Sequence, residues 1–157
     1  MRMATVGTSL SEQYDRMWDM LRATISRFSV DHWAAGERVE LMPAKWAFHI
    51  IITVDFYARD TQDGFAWDGR YKIDWEKPAQ TMPSQQQLLE YLGEVQASMR
   101  ARLAATADAD MMANSVFPWT GKNKAAHFIY TLRHAMYHLG ELSMLLRLHG
   151  AVETEWR

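Results

Sequence analysis

Apolar side chains recur at spacings of three and four along four stretches of the chain, with polar residues between them. In the first stretch Leu10, Tyr14, Met17, Trp18, Leu21, Ile25 and Phe28 fall on one helical face. Thr8 or Ser9 reads as its N-cap, with Glu12 three residues after Ser9 as in a capping box, and the helix is expected to end near Val30. Residues 31–43 read as a connector, Pro43 suiting the first turn of the next helix. The second helix is expected from residue 44 to about 60, where Trp46, His49, Ile50, Thr53, Val54 and Tyr57 keep helical spacing. Its β-branched run from Ile50 to Val54 would also suit a strand; length and the lack of alternation favour helix.

The third helix is expected from Ser84, with Gln87 completing a capping box, to about Thr106. The fourth runs from about Lys122 to His149 and stops at Gly150. Its seam is Phe128, Leu132, Ala135, Leu139, Leu142 and Leu146. Residues 61–83 carry two glycines, two prolines and the aromatics Phe65, Trp67, Tyr71 and Trp75. They read as a long loop that packs down onto the bundle. The pattern predicts an all-α fold, a four-helix bundle with a long loop between helices 2 and 3, as a single domain over residues 1–157.

Composition narrows the chemistry. The chain has no cysteine, which removes disulfides, thiolate metal sites and a protein thiol nucleophile. Any metal must be held by His, Asp, Glu or water, and any thiol must arrive with a substrate. Lys+Arg number 17 against 19 Asp+Glu, so the basic footprint of a nucleic-acid binder is missing. No apolar run approaches the roughly 20 residues of a membrane span, and the N-terminal residues do not read as a signal peptide. A cytoplasmic protein is expected. Glycine-rich phosphate loops, nucleotide fingerprints and serine nucleophile elbows are likewise missing.

The histidines carry the strongest chemical signal. His134 and His138 stand one helical turn apart, on one face, where two imidazoles can reach one ion. The spacing is that of the HExxH zinc enzymes, but Ala135, Met136 and Tyr137 intervene and no glutamate follows the first His. Spacing alone also suits two ordinary histidines. Both sit one residue before the seam positions Ala135 and Leu139, about 100° around the helix from the core stripe, at the edge where a cleft could form. Glu141, three residues after His138, could orient an imidazole, or could be a solvated face residue. His49 sits alone on an apolar face, which more often means a satisfied core-edge histidine. If it faces the pair, three imidazoles leave coordination positions open, as a catalytic site does. His127, His149 and His32 read as structural, and Trp18, Trp33 and Trp46 as core.

The helical pattern, the histidine within PAKWAFHIIITVDFYARD and the last-helix run HAMYHLGELSMLLRLHG together resemble the DinB-like family. The resemblance covers nearly the whole chain and is thinnest over residues 61–83. The family often has Gln where this chain has Glu141. The resemblance implies an up-down-down-up four-helix bundle and a divalent metal ion, zinc or nickel, bound by His49, His134 and His138. It also implies a homodimer and chemistry on a small-molecule substrate; the charge balance and the lack of a spanning run already point to no nucleic acid or membrane partner. Characterised members of the family include transferases that use small cellular thiols and a thiol-dependent isomerase. Three readings follow. A small thiol is activated on the metal and transferred to an electrophile, with Trp67, Tyr71 and Trp75 covering the cleft. Alternatively, metal-bound water hydrolyses a substrate, with Glu141 or Asp55 as base. The third reading is a non-catalytic, stress-related bundle that binds a metal or small ligand.

Overall fold

The computed structural model describes residues 5–36, 38–77, 80–151 and 156. Among these described residues five α-helices carry the fold: α1 (Val6–Arg27), α2 (Val30–Trp33), α3 (Pro43–Tyr57), α4 (Gln85–Ala105) and α5 (Lys124–Leu148). Short 3-10 turns lie at Val39–Leu41, Asp108–Met112 and Pro118–Thr120. No strand occurs among the described residues beyond an isolated bridge between Asn114 and Asn123. No helix among them is long and apolar enough to cross a membrane.

The first helix starts earlier than its pattern suggests. Thr5, not Thr8 or Ser9, is the N-cap: its side chain accepts from Thr8 N at 3.0 Å, and Thr8 Oγ1 accepts from Thr5 N at 2.8 Å. The reason is tertiary. Val6 N donates to Asp108 Oδ1 at 2.9 Å, so the turn after α4 satisfies an orphan amide and lets the helix begin there. Gly7 is required at this crossing, because a Cβ would lie 2.8 Å from the Leu103 carbonyl oxygen. The helix stops at Arg27, short of Val30, since Ser29 caps the small α2 through His32 N at 3.3 Å. The connector expected over residues 31–43 thus contains a helical turn, which buries Trp33 and lets its Nε1 donate to Pro83 O at 2.8 Å.

The run Ile50–Val54 is helical. Ile50, Ile51, Ile52 and Val54 are all fully buried, so α3 is apolar nearly all round and its alternation signal is blurred. It ends at Tyr57, three residues before the expected boundary. Ser84 and Gln87 form the expected capping box of α4. Asn123 caps α5 through Ala126 N at 2.9 Å, and Gly150, with φ 75°, closes its end.

Each long helix packs on two others: α1 on α4 and α5, and α3 on the same pair. Between them lie Tyr14, Trp18, Leu21 and Ile25 of α1, Phe48 and Ile51 of α3, and Leu88, Leu92, Val95 and Met99 of α4. The α5 seam is buried as its spacing indicates, with Leu132 only partly so. Described residues between α3 and α4 form turns and bends that press onto the core through Ile73, Tyr71, Trp75 and Phe65.

Candidate metal centre

The α3–α5 interface sets the site. His49 faces α5 from the second turn of α3, and His134 and His138 face α3 from successive turns of α5. One ligand nitrogen from each of the three lies within 4.8 Å of the others, an arrangement that could hold a metal ion. The ring centroids of His49 stand 4.6 Å from His138 and 5.4 Å from His134. The Nε2 atoms of His134 and His138 are 3.2 Å apart, close to the roughly 3.3 Å that tetrahedral Zn–N bonds of about 2.0–2.1 Å impose.

Protonation favours coordination. Burial pushes His49 down to about 3, with His138 and His134 adding repulsion. Burial also lowers His134 to about 4, assisted by His138 and opposed by Glu141. Both rings are therefore neutral bases at pH 7, the form a metal takes. Glu141 Oε2 sits 2.6 Å from His138 Nδ1. A carboxylate there accepts the Nδ1 proton and leaves the Nε2 lone pair of His138 aimed at the centre of the triad. His134 Nε2 then donates to it in the metal-free protein, which leaves His134 Nδ1 buried with no partner. The donor set fits a divalent ion: three imidazoles, two held neutral by burial and one oriented by a carboxylate.

Replacing Glu141 with alanine is expected to weaken zinc affinity by about 10–100-fold, the usual cost of losing a ligand's hydrogen-bond partner. Glu141→Gln, which keeps an acceptor oxygen, should retain most of it. Competition titration against a chelating dye reads both variants, and equal affinities for all three proteins would remove Glu141 from the site.

The lowered pKa values also fix the sign of a pH dependence. Rings held neutral in the fold but ordinary at 6.5 when unfolded stabilise the protein above about pH 6.5. That contribution is lost progressively as the pH falls from 6.5 towards the folded values of about 4 and 3. The melting temperature of metal-free protein should decline from pH 6.5 towards pH 4, and less so in His49→Gln. A flat profile in the wild type would contradict the burial of neutral rings.

A cavity of about 520 Å³ opens beside the triad, lined by Glu40, Lys45, Trp46, His49, Trp67, Trp75 and His138. Trp46 stacks on His138 at 4.8 Å, and Trp75 stands edge-on to His49 at 5.4 Å. Trp46 packs against the core, as its position predicts, and also forms a wall of the cavity, because it precedes His49 by three residues and shares its face. Lys45 is the residue that the sequence reading missed. It precedes His49 by four residues, is 1% exposed, and donates from Nζ to Trp75 O at 3.1 Å and Lys77 O at 2.7 Å. The available signal was a lysine one turn before His49 on a helix face otherwise apolar.

Other candidates lie elsewhere. Asp55 Oδ2 accepts from the Tyr91 hydroxyl on α4 at 2.6 Å, while the triad faces α5. His127 is buried, with Nε2 2.9 Å from Tyr57 O and Nδ1 3.1 Å from Thr120 Oγ1, a satisfied structural histidine. His32 and His149 stack on each other at 4.1 Å beside Phe28. Of Trp67, Tyr71 and Trp75, only the two tryptophans line the cavity; Tyr71 packs on Phe48 and Tyr91.

Long packed helices whose histidines converge beside an apolar cavity define a class: helical proteins with a histidine cluster at a helix–helix interface that could hold a metal ion. The sequence pattern of the DinB superfamily matches residues 13–142, and the chain belongs to that superfamily. No curated protein and no solved structure matches it.

Proposed function

We propose that the protein is a metal-dependent enzyme that transfers a low-molecular-weight thiol to an electrophilic carbon. The observation that carries this is the convergence of His49, His134 and His138 on one point beside a cavity large enough for a small molecule. The three imidazoles would be the ligands of a zinc or nickel ion, with coordination positions left for the substrate. Such an ion, when bound, supplies a Lewis acid that favours thiolate over thiol near pH 7.

The chain's own residues do the rest. Glu141 fixes the His138 tautomer. Trp46 and Trp75 wall the approach and exclude water, which strengthens attraction between the thiolate and the site. In the transfer the thiol loses its proton to solvent, sulfur bonds to the electrophilic carbon, and the displaced group departs with its electron pair. The lack of cysteine supports a thiol brought from outside. Hydrolysis is the weaker reading, because the carboxylates proposed as base are engaged: Glu141 with His138 Nδ1, and Asp55 with Tyr91.

The up-down-down-up order of the long helices belongs to the same reading. It is supported by contacts that put the start of α1 beside the end of α4, and the end of α3 beside the start of α5. A homodimer in the cytoplasm completes it. The exposed α5 side chains Ile129, Tyr137, Met144 and Leu148 offer a surface for a second copy.

The test is a panel of small thiols and electrophiles assayed with tag-free protein before and after chelation. Conjugation that disappears with the metal and returns on adding zinc or nickel is expected. Full activity in metal-free protein would refute the proposal, and saturable binding without turnover would favour a non-catalytic bundle.

A further inference from the structure

The polar groups around the cavity are nearly all committed to the protein itself. Trp46 Nε1 donates to Glu40 O at 3.0 Å, and Trp75 Nε1 points to Trp67 O at 3.4 Å. Lys45 Nζ is spent on the carbonyls of Trp75 and Lys77. These indoles thus offer carbon faces and edges, not donors, and the lysine offers mainly its aliphatic stem. The Glu40 carboxylate pairs with Arg38 at 3.4 Å and is largely solvated. At the inner end stand the imidazoles of His49 and His138, the latter already engaged by Glu141 and His134.

A sugar, nucleotide or peptide entering this space would lose hydrogen bonds to water that the walls do not replace. A flat apolar ring loses little and gains stacking area. Trp67 adds a second, independent sign. It is 43% exposed at the cavity, resting on Phe56 at 4.6 Å and Phe65 at 5.1 Å. An indole held on a rigid aromatic base with an open side is what a ligand would cover.

We infer that the cavity binds a planar aromatic molecule, stacked among Trp46, Trp67 and Trp75, with a single donor atom or reactive carbon directed at the histidines. This rests on the proposed function only in making that molecule the electrophile; the stacking itself needs no metal.

The experiment is isothermal titration calorimetry of metal-free protein with 2-naphthol, and with glucose as a polar control. Saturable one-to-one binding of naphthol is expected, with none for glucose. Trp67→Ala should weaken naphthol binding about two- to thirteenfold, the range of an aromatic contact beyond area burial. Trp46→Leu should do the same, and circular dichroism would show that both variants keep their helices. No saturable binding of naphthol would overturn the inference, as would binding untouched in both folded variants, which places the probe elsewhere. Because no metal is present, a negative result here leaves the thiol-transfer reading standing. Conversely, naphthol binding by a protein that takes up no zinc would separate the aromatic cavity from the metal site.

Discussion

His134→Ala is expected to reduce bound zinc from about one per chain to near zero, read by elemental mass spectrometry on tag-free protein. His134 sits within ligand distance of both partners, and its Nε2 is already 3.2 Å from that of His138. Removing it leaves two imidazoles, which bind zinc far more weakly than three. The affinity loss should exceed the 10–100-fold expected for the orienting carboxylate. The fold should survive, because His134 lies at the interface edge and the α5 seam beneath it is Ala135 and Leu139. Loss of zinc with unchanged helicity therefore reports the site alone. Wild-type protein that takes up no zinc or nickel would instead show a bundle that keeps the superfamily's shape without its metal.

The sequence makes this prediction possible only in part. The His134/His138 pair is legible because helical spacing is local: residues four apart share a face whatever surrounds them. The third candidate ligand is not local. His49 stands 85 residues before His134, and nothing in its own neighbourhood tells a ligand from a core-edge histidine. Only family resemblance placed it opposite the pair, where the structure indeed puts it. The caps divide in the same way. Ser84 and Gln87 satisfy each other within one turn and are readable. The start of α1 depends on Asp108, about a hundred residues away, and is not. In α3 burial on every side blurs the periodicity that would have told helix from strand. The wall of the cavity was the least legible part. That Trp75 and Trp67 come down onto it was foreshadowed by their aromatic character, but what ties the segment in place was not.

That tie is Lys45, and its removal is the other large expected effect. A buried lysine looks unfavourable. Burial pulls its pKa down, and the nearby carboxylates of Asp74 and Glu40 only partly oppose this. The charge by itself is therefore a net cost in the fold. What offsets it is the pair of short bonds to Trp75 O and Lys77 O, each worth about 1.5–3 kcal/mol as hydrogen bonds to a charged group. Lys45→Met fills the same space without either the cost or the bonds. Lys77 O keeps the Gln80 amide at 2.6 Å, but Trp75 O loses the lysine and must find water, which it reaches if the segment lifts from α3. Segment release is cheaper than global unfolding, so the effect should be mostly local. Global melting is expected to fall modestly, by about 5 °C, since roughly 1–2 kcal/mol is worth about 2–4 °C per kcal/mol in a chain of this size. Tryptic cleavage at Arg70 and Lys72 should accelerate by about tenfold or more, because cleavage follows the population of the open form. Helicity should not change. The cavity should lose its Trp75 wall, and with it most of any ligand affinity, while zinc binding at His49, His134 and His138 persists. Cleavage at the wild-type rate in Lys45→Met would mean that packing and the other ties of the segment, such as the Tyr71 hydroxyl on Gln87 O and Arg70 on Glu94, hold it without the lysine. Loss of zinc together with the segment would mean that Trp75, set 5.4 Å from His49, also steers the imidazole towards the ion.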